Sequence, residues 1–120
     1  MLFRSLLVIA FDRRTSFPRR VVRVMRNEWP APGHWIGVRL RGAPGVSPLG
    51  ATVIVETPSG RQAAVVVTGD SAKSQHAHLR HFGLGQTGRV ESIEVRWPGG
   101  DVSRLERPAI DQYHDVGPDK

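Results

Sequence analysis

His81-Phe82-Gly83-Leu84-Gly85-Gln86-Thr87-Gly88, continuing as Arg89-Val90-Glu91-Ser92-Ile93-Glu94-Val95-Arg96-Trp97-Pro98-Gly99-Gly100, is the stretch that decides the fold class. Ile93, Val95 and Trp97 fall on one parity, while Ser92, Glu94 and Arg96 fall on the other. Alternation with period two marks a half-buried antiparallel strand. A strand is therefore expected over 89–97, turning through Pro98-Gly99-Gly100-Asp101 into a return strand over 102–105. Upstream, 78–82 reads as a short strand and 83–88 as a glycine-punctuated loop.

The same alternation recurs nearer the N-terminus. In Ile36-Gly37-Val38-Arg39-Leu40-Arg41 the apolar residues share one parity and the arginines the other. Residues 51–56 and 61–68 read as two strands. Between them Thr57-Pro58-Ser59-Gly60 fits a type I turn, with Pro second and Gly fourth, so the three pieces form a hairpin. Segments 42–50 and 69–77 are loops, and 108–120 holds a last short strand before a fraying end. No stretch of ten residues has helical periodicity, and no repeat is present. The expected fold is all-β, an antiparallel β-sandwich or partly open barrel of about six or seven strands.

Ser5-Leu6-Leu7-Val8-Ile9-Ala10-Phe11 is the one strongly apolar run. It is far shorter than the roughly 20 residues of a membrane span. Asp12-Arg13-Arg14 stands where a signal peptide would need small residues. A fully buried strand fits it better, and 21–25 supplies a partner for an N-terminal strand pair. Glu28-Trp29-Pro30-Ala31-Pro32-Gly33 has the composition of a linker. The organisation expected is thus a strand pair and linker over 1–33, a β domain over 34–112 and a tail over 113–120.

A chain of 120 residues with 13 glycines, nine prolines and 7% aromatics suits one turn-rich β domain. It has no cysteine, which excludes disulfides and thiolate metal sites. The net charge of +6 is unevenly placed: residues 1–41 hold nine Lys/Arg against two Asp/Glu, and residues 42–120 hold eight against nine. A phosphate-binding surface would use Arg13, Arg14, Arg19, Arg20, Arg23 and Arg26, and its binding would be steeply salt-dependent. An arm or an uncovered edge accounts for the same clustering.

Chemistry is thinly signalled. His76, His78 and His81 could hold zinc if they converged, but His81 lies on the opposite strand parity and no carboxylate is interleaved. Gly83 to Gly88 superficially matches a nucleotide-binding glycine pattern, which needs a following helix, whereas a strand follows here. Asp70, Ser71, Ser74 and His76 contain the groups of a nucleophilic triad, yet all lie in one short loop, and such groups normally come from separate elements. No catalytic centre, cofactor or metal is expected. Trp35 and Trp97 are expected to pack into or cap the core, and Trp29 to be exposed.

Five blocks in register carry a resemblance. They are His34-Trp35-Ile36-Gly37-Val38-Arg39-Leu40-Arg41-Gly42, Gly50-Ala51-Thr52-Val53, Gly69 with Ser74-Gln75, His81-Phe82-Gly83-Leu84-Gly85, and Val90 to Val95 with Trp97-Pro98-Gly99-Gly100. Over 34–112 the chain resembles the ASPIC/UnbV domain of the cartilage acidic protein-like family. The resemblance implies an extracellular or periplasmic setting and a preceding β-propeller of FG-GAP/VCBS repeats. It also implies that Val22-Arg23-Val24-Met25-Arg26-Asn27 is the last strand of a propeller blade. Gly45-Val46-Ser47-Pro48-Leu49 departs from the polar Ser-Asn-Arg-Asp common in the family. The propeller's Asp-rich calcium loops are absent from this chain, so calcium binding does not carry over.

The expected function is a non-catalytic, extracellular-type interaction module. It would bind a polysaccharide or protein partner, or pack on a parent propeller. Candidate ligand contacts are Trp29, His34, Ser47, Ser74, Gln75, His76 and His78, on or beside loops of a rigid β scaffold. Nonspecific RNA binding through the N-terminal arginines and a purely structural cap are the alternatives.

Overall fold

The structure, a computed structural model, describes residues 5–14, 16–17, 19–28, 30, 33–69 and 77–118. The chain forms two compact units, Met1–Pro32 and Gly33–Lys120. Among the described residues there are nine strands and no helix, hence no helix able to cross a membrane.

In the first unit β1 (Ser5–Asp12) pairs antiparallel with β2 (Arg19–Arg26), from Ser5↔Arg26 to Asp12↔Arg19. The apolar run does form the expected strand, but it is not buried. Leu6, Leu7, Ile9 and Phe11 of β1 and Val22, Val24 and Met25 of β2 are all more than half exposed. Two-stranded ribbons are marginal in water by themselves.

The second unit holds seven strands: β3 (His34–Leu40), β4 (Thr52–Thr57), β5 (Gly60–Val65), β6 (Leu79–Gly85), β7 (Ser92–Arg96), β8 (Val102–Glu106) and β9 (Tyr113–Val116). They form a three-stranded sheet, β6-β3-β9, and a four-stranded sheet, β5-β4-β7-β8. Alternation determines which side chains meet between the layers. Ile36, Val38, Leu40, Phe82, Leu84 and Val116 come from one sheet, and Val53, Val55, Ile93, Val95 and Trp97 from the other sheet and its turn, all within one buried cluster. Each such aliphatic side chain contributes about 1.5–3 kcal/mol by leaving water.

The fold is a sandwich and neither sheet closes into a barrel. Edge strands β5 and β6 are joined by two side chains instead of a ladder: Gln62 Nε2 donates to Gly83 O and Arg80 Nε to Val65 O, both at 2.8 Å. One pair departs from the antiparallel expectation, since β9 runs parallel to β3. Residues 113–116 are the last short strand expected within 108–120, and through Val116 this strand enters the core.

Several boundaries also shift. β6 continues through Gly85 because Leu84 repeats the inward parity of Phe82. β5 ends at Val65, where Val66 turns into the core and its backbone bonds Gly50 and Ala51. β7 begins only at Ser92, and Ser92 is 2% exposed although its parity faces away from the core.

A polar chain ties the C-terminal end to the larger sheet. Trp97 Nε1 donates to Ser103 Oγ at 2.9 Å, and Ser103 Oγ donates to Gly117 O at 2.7 Å. Ser103 is 3% exposed, so its loss strands the buried Trp97 Nε1. Ser103→Ala is expected to cost about 1–3 kcal/mol of stability, read by chemical denaturation. An unchanged midpoint would show that water replaces the hydroxyl.

Candidate functional site

On the outer face of β6-β3-β9, Gly37 lies between His81 of β6 and Tyr113 of β9. Its missing side chain shapes what surrounds it. A Cβ on Gly37 would collide with the Tyr113 ring, nearest Cδ1 and Cε1, so the ring occupies the space the glycine leaves. Trp35 precedes Gly37 on the same parity and stacks on His81, with centroids 4.9 Å apart and planes 13° apart. It also meets Tyr113 edge-on at 5.0 Å. Three rings from three strands therefore form one cluster at the surface, a geometry favoured by ring quadrupoles.

Charged and polar groups border the rings. Arg39 places its guanidinium carbon 5.6 Å from the Tyr113 ring centroid, within cation–π range. Arg39 Nη1 and Arg41 Nη2 both donate to Asp115, at 3.3 Å on Oδ1 and 2.8 Å on Oδ2. At the other end the register of β3 on β6 shifts between His34 and Trp35. There Asp111, in a left-handed conformation at φ 58, meets both backbone groups of Trp35. Its N–H donates to Trp35 O at 2.7 Å, and its Oδ1 accepts from Trp35 N at 3.1 Å. Its Oδ2 lies 2.9 Å from His34 Nδ1. Asp tolerates that backbone region better than most residues, and here it ends the ladder that β9 provides.

The hydrogen bond with His34, supported by the Trp35 N–H, holds the Asp111 carboxyl below its ordinary range against the opposing effect of burial. The hydrogen bond from Arg41, with help from Arg39, does the same for Asp115.

A separate concavity of about 540 Å³ lies between residues 88–91 and 107–110. Its lining offers Arg89, already 2.8 Å from Glu91, and Arg107, but no aromatic ring. The aromatic face has the richer chemistry.

The residues singled out from the sequence scatter. His34 sits at the edge of the ring cluster. Ser47 lies in the exposed loop 42–50, where its Oγ accepts from Leu49 N at 3.2 Å. His78 is half-buried ahead of β6 and its carbonyl accepts from Leu40 N. Trp29, Ser74, Gln75 and His76, and with them the loop triad, lie outside the described residues. Among the described residues no three His, Asp or Glu side chains are grouped as for a metal ion. Arg13 and Arg14 are exposed between β1 and β2, and Arg19, Arg20, Arg23 and Arg26 are exposed along β2. Strand parity divides these four between both faces of the ribbon.

Trp97 is core, as expected. Trp35 is not in the buried core and faces outward, and its parity with Arg39 and Arg41 carried that signal. Tyr113 and Asp115 lie on the last short strand expected within 108–120, but the sequence did not single out these two side chains.

The family model described as ASPIC and UnbV matches residues 44–120. That span takes in β4 to β9 and hence His81, Asp111, Tyr113 and Asp115. No curated protein matches the chain.

Gly37→Ala should displace Tyr113 and destabilise the domain by about 1–3 kcal/mol, as overpacking does. In the background of Tyr113→Ala the same change should cost much less, because the collision is gone. Equal costs in both backgrounds, from denaturation curves, would contradict the packing described. For pH, the folded carboxyls of Asp111 and Asp115 lie below their unfolded values. Their stabilisation is present above the ordinary carboxylate range near 4 and is lost as pH falls through the folded values. Acid unfolding followed by tryptophan fluorescence should therefore be shallower in Asp111→Asn/Asp115→Asn, which starts from lower stability at pH 7.

Proposed function

The chain belongs to the ASPIC and UnbV family, and on that premise we propose that its C-terminal unit is a non-catalytic module that binds a polysaccharide. The ligand face would be the outer face of β6-β3-β9. One observation carries this reading: the Trp35–His81–Tyr113 ring cluster is surface-facing and bordered by planar hydrogen-bonding groups of Arg39, Asp115, His34 and Asp111. Apolar ring surface with a few convergent polar groups is how pockets and platforms orient small polar ligands.

A protein partner is the other occupant this face could take, but a stable protein interface buries about 800 Å² per partner. The exposed large apolar residues described in this unit, Leu49, Val65, Val102 and Tyr113, come from a loop and three different strands. That scatter supports a compact ligand over a broad docking patch. The setting proposed is extracellular or periplasmic, where polysaccharides are abundant.

A second reading concerns the first unit. The exposed apolar residues on both faces of the β1–β2 ribbon favour packing of that ribbon against further strands, as in a propeller blade. The two readings concern different units and are compatible.

Titration of intrinsic tryptophan fluorescence with soluble polysaccharides and single-stranded RNA, at low and high salt, tests the proposal. A response to one polysaccharide that persists at high salt, though weakened where the sugar is charged, is expected, and Tyr113→Ala should lower it about tenfold or more. A response only to RNA that vanishes at high salt would instead assign binding to the N-terminal arginines.

A further inference from the structure

We infer that the aromatic face selects an anionic sugar, one bearing a carboxylate such as a uronate, over its neutral counterpart. The inference rests on the polysaccharide reading and adds the chemical class of the ligand.

Donors and acceptors around the rings are unequally committed. Both carboxylates of the face are already committed. Asp111 spends one oxygen on His34 and the other on the Trp35 N–H. Asp115 spends one on Arg39 and the other on Arg41. The guanidiniums are in the opposite position. Each carries five N–H donors, and each gives one to Asp115. The Arg41 bond is short at 2.8 Å and the Arg39 bond long at 3.3 Å, so Asp115 belongs chiefly to Arg41. Arg39 is left beside the Tyr113 ring, half-exposed, with most of its fork directed elsewhere than Asp115.

A ligand that stacks on Tyr113 thus meets a surplus of charged donors and few uncommitted charged acceptors. A neutral sugar hydroxyl can accept from such donors, but without charge its bond is about half as strong. A carboxylate accepts only, and a guanidinium fork matches it in two parallel bonds. Arg39 would bind the carboxylate while Arg41 keeps Asp115, and with it β9, in place.

The test compares tetragalacturonate with its fully methyl-esterified form, which keeps the sugar rings and removes the charges. Calorimetry of the full chain is expected to show the acid binding about tenfold or more tighter than the ester. In Arg39→Gln the preference for the acid over the ester should disappear, and an unchanged thermal transition by tryptophan fluorescence shows that the variant is folded. Equal binding of acid and ester by the native chain would overturn the inference and leave the polysaccharide reading standing. So would a preference that survives Arg39→Gln, since other arginines would then be its source. Failure of both oligosaccharides, together with silence across the polysaccharide series above, would remove the reading on which the inference rests.

Discussion

The parallel docking of β9 on β3 is the constraint on which the second unit depends. Parallel neighbours cannot be joined by a tight turn, and here the partners are separated by nearly the whole domain. The chain must complete the four-stranded sheet and cross back before its last four-residue strand can pair. Once paired, that strand supplies Val116 to the core, Tyr113 to the outer face and Asp115 to two arginines. Just ahead of it Asp111 closes both backbone groups of Trp35. Just after it Gly117 receives the hydroxyl of Ser103. One short strand therefore couples the core, the ring cluster and the border between the two sheets.

This arrangement explains how so small a strand stays in place. Four backbone pairs alone would hold it weakly. It is instead fastened at both ends by bonds to other elements and in the middle by a ring that fits only because residue 37 is a glycine. The same fastenings build the outer face, so fold and site share their residues. That sharing makes the stability of the C-terminal strand and the shape of the ring cluster one physical question.

Much of this was legible from strand parity. The alternations over 36–41 and 92–97 sorted core from surface, and Pro58 with Gly60 located the hairpin. Trp97 went to the core as its parity required. Trp35 shows where residue type misleads: large aromatic rings are usually buried, but its place two residues before Gly37 and four before Arg39 puts it outside. A last short strand was legible within 108–120, but not its parallel partner, because pairing with a strand some 76 positions earlier leaves no local trace. Ser92 is buried against its parity, which only the packed structure shows. The exposure of the N-terminal ribbon was equally hidden, since an apolar run reports what a strand needs and not whether the chain supplies it.

The two sheets are not held together alike along their two margins. On the β8–β9 side the connection 107–112 and the Trp97–Ser103–Gly117 relay cross between layers. On the β5–β6 side the chain also crosses, through 66–78, but among the described residues the hydrogen bonds between these two strands are those of two long, flexible side chains, Gln62 and Arg80. Either can exchange its carbonyl for water without disturbing a single rung of a ladder. The sandwich thus has a stiff spine and a soft fore-edge, like a bound book.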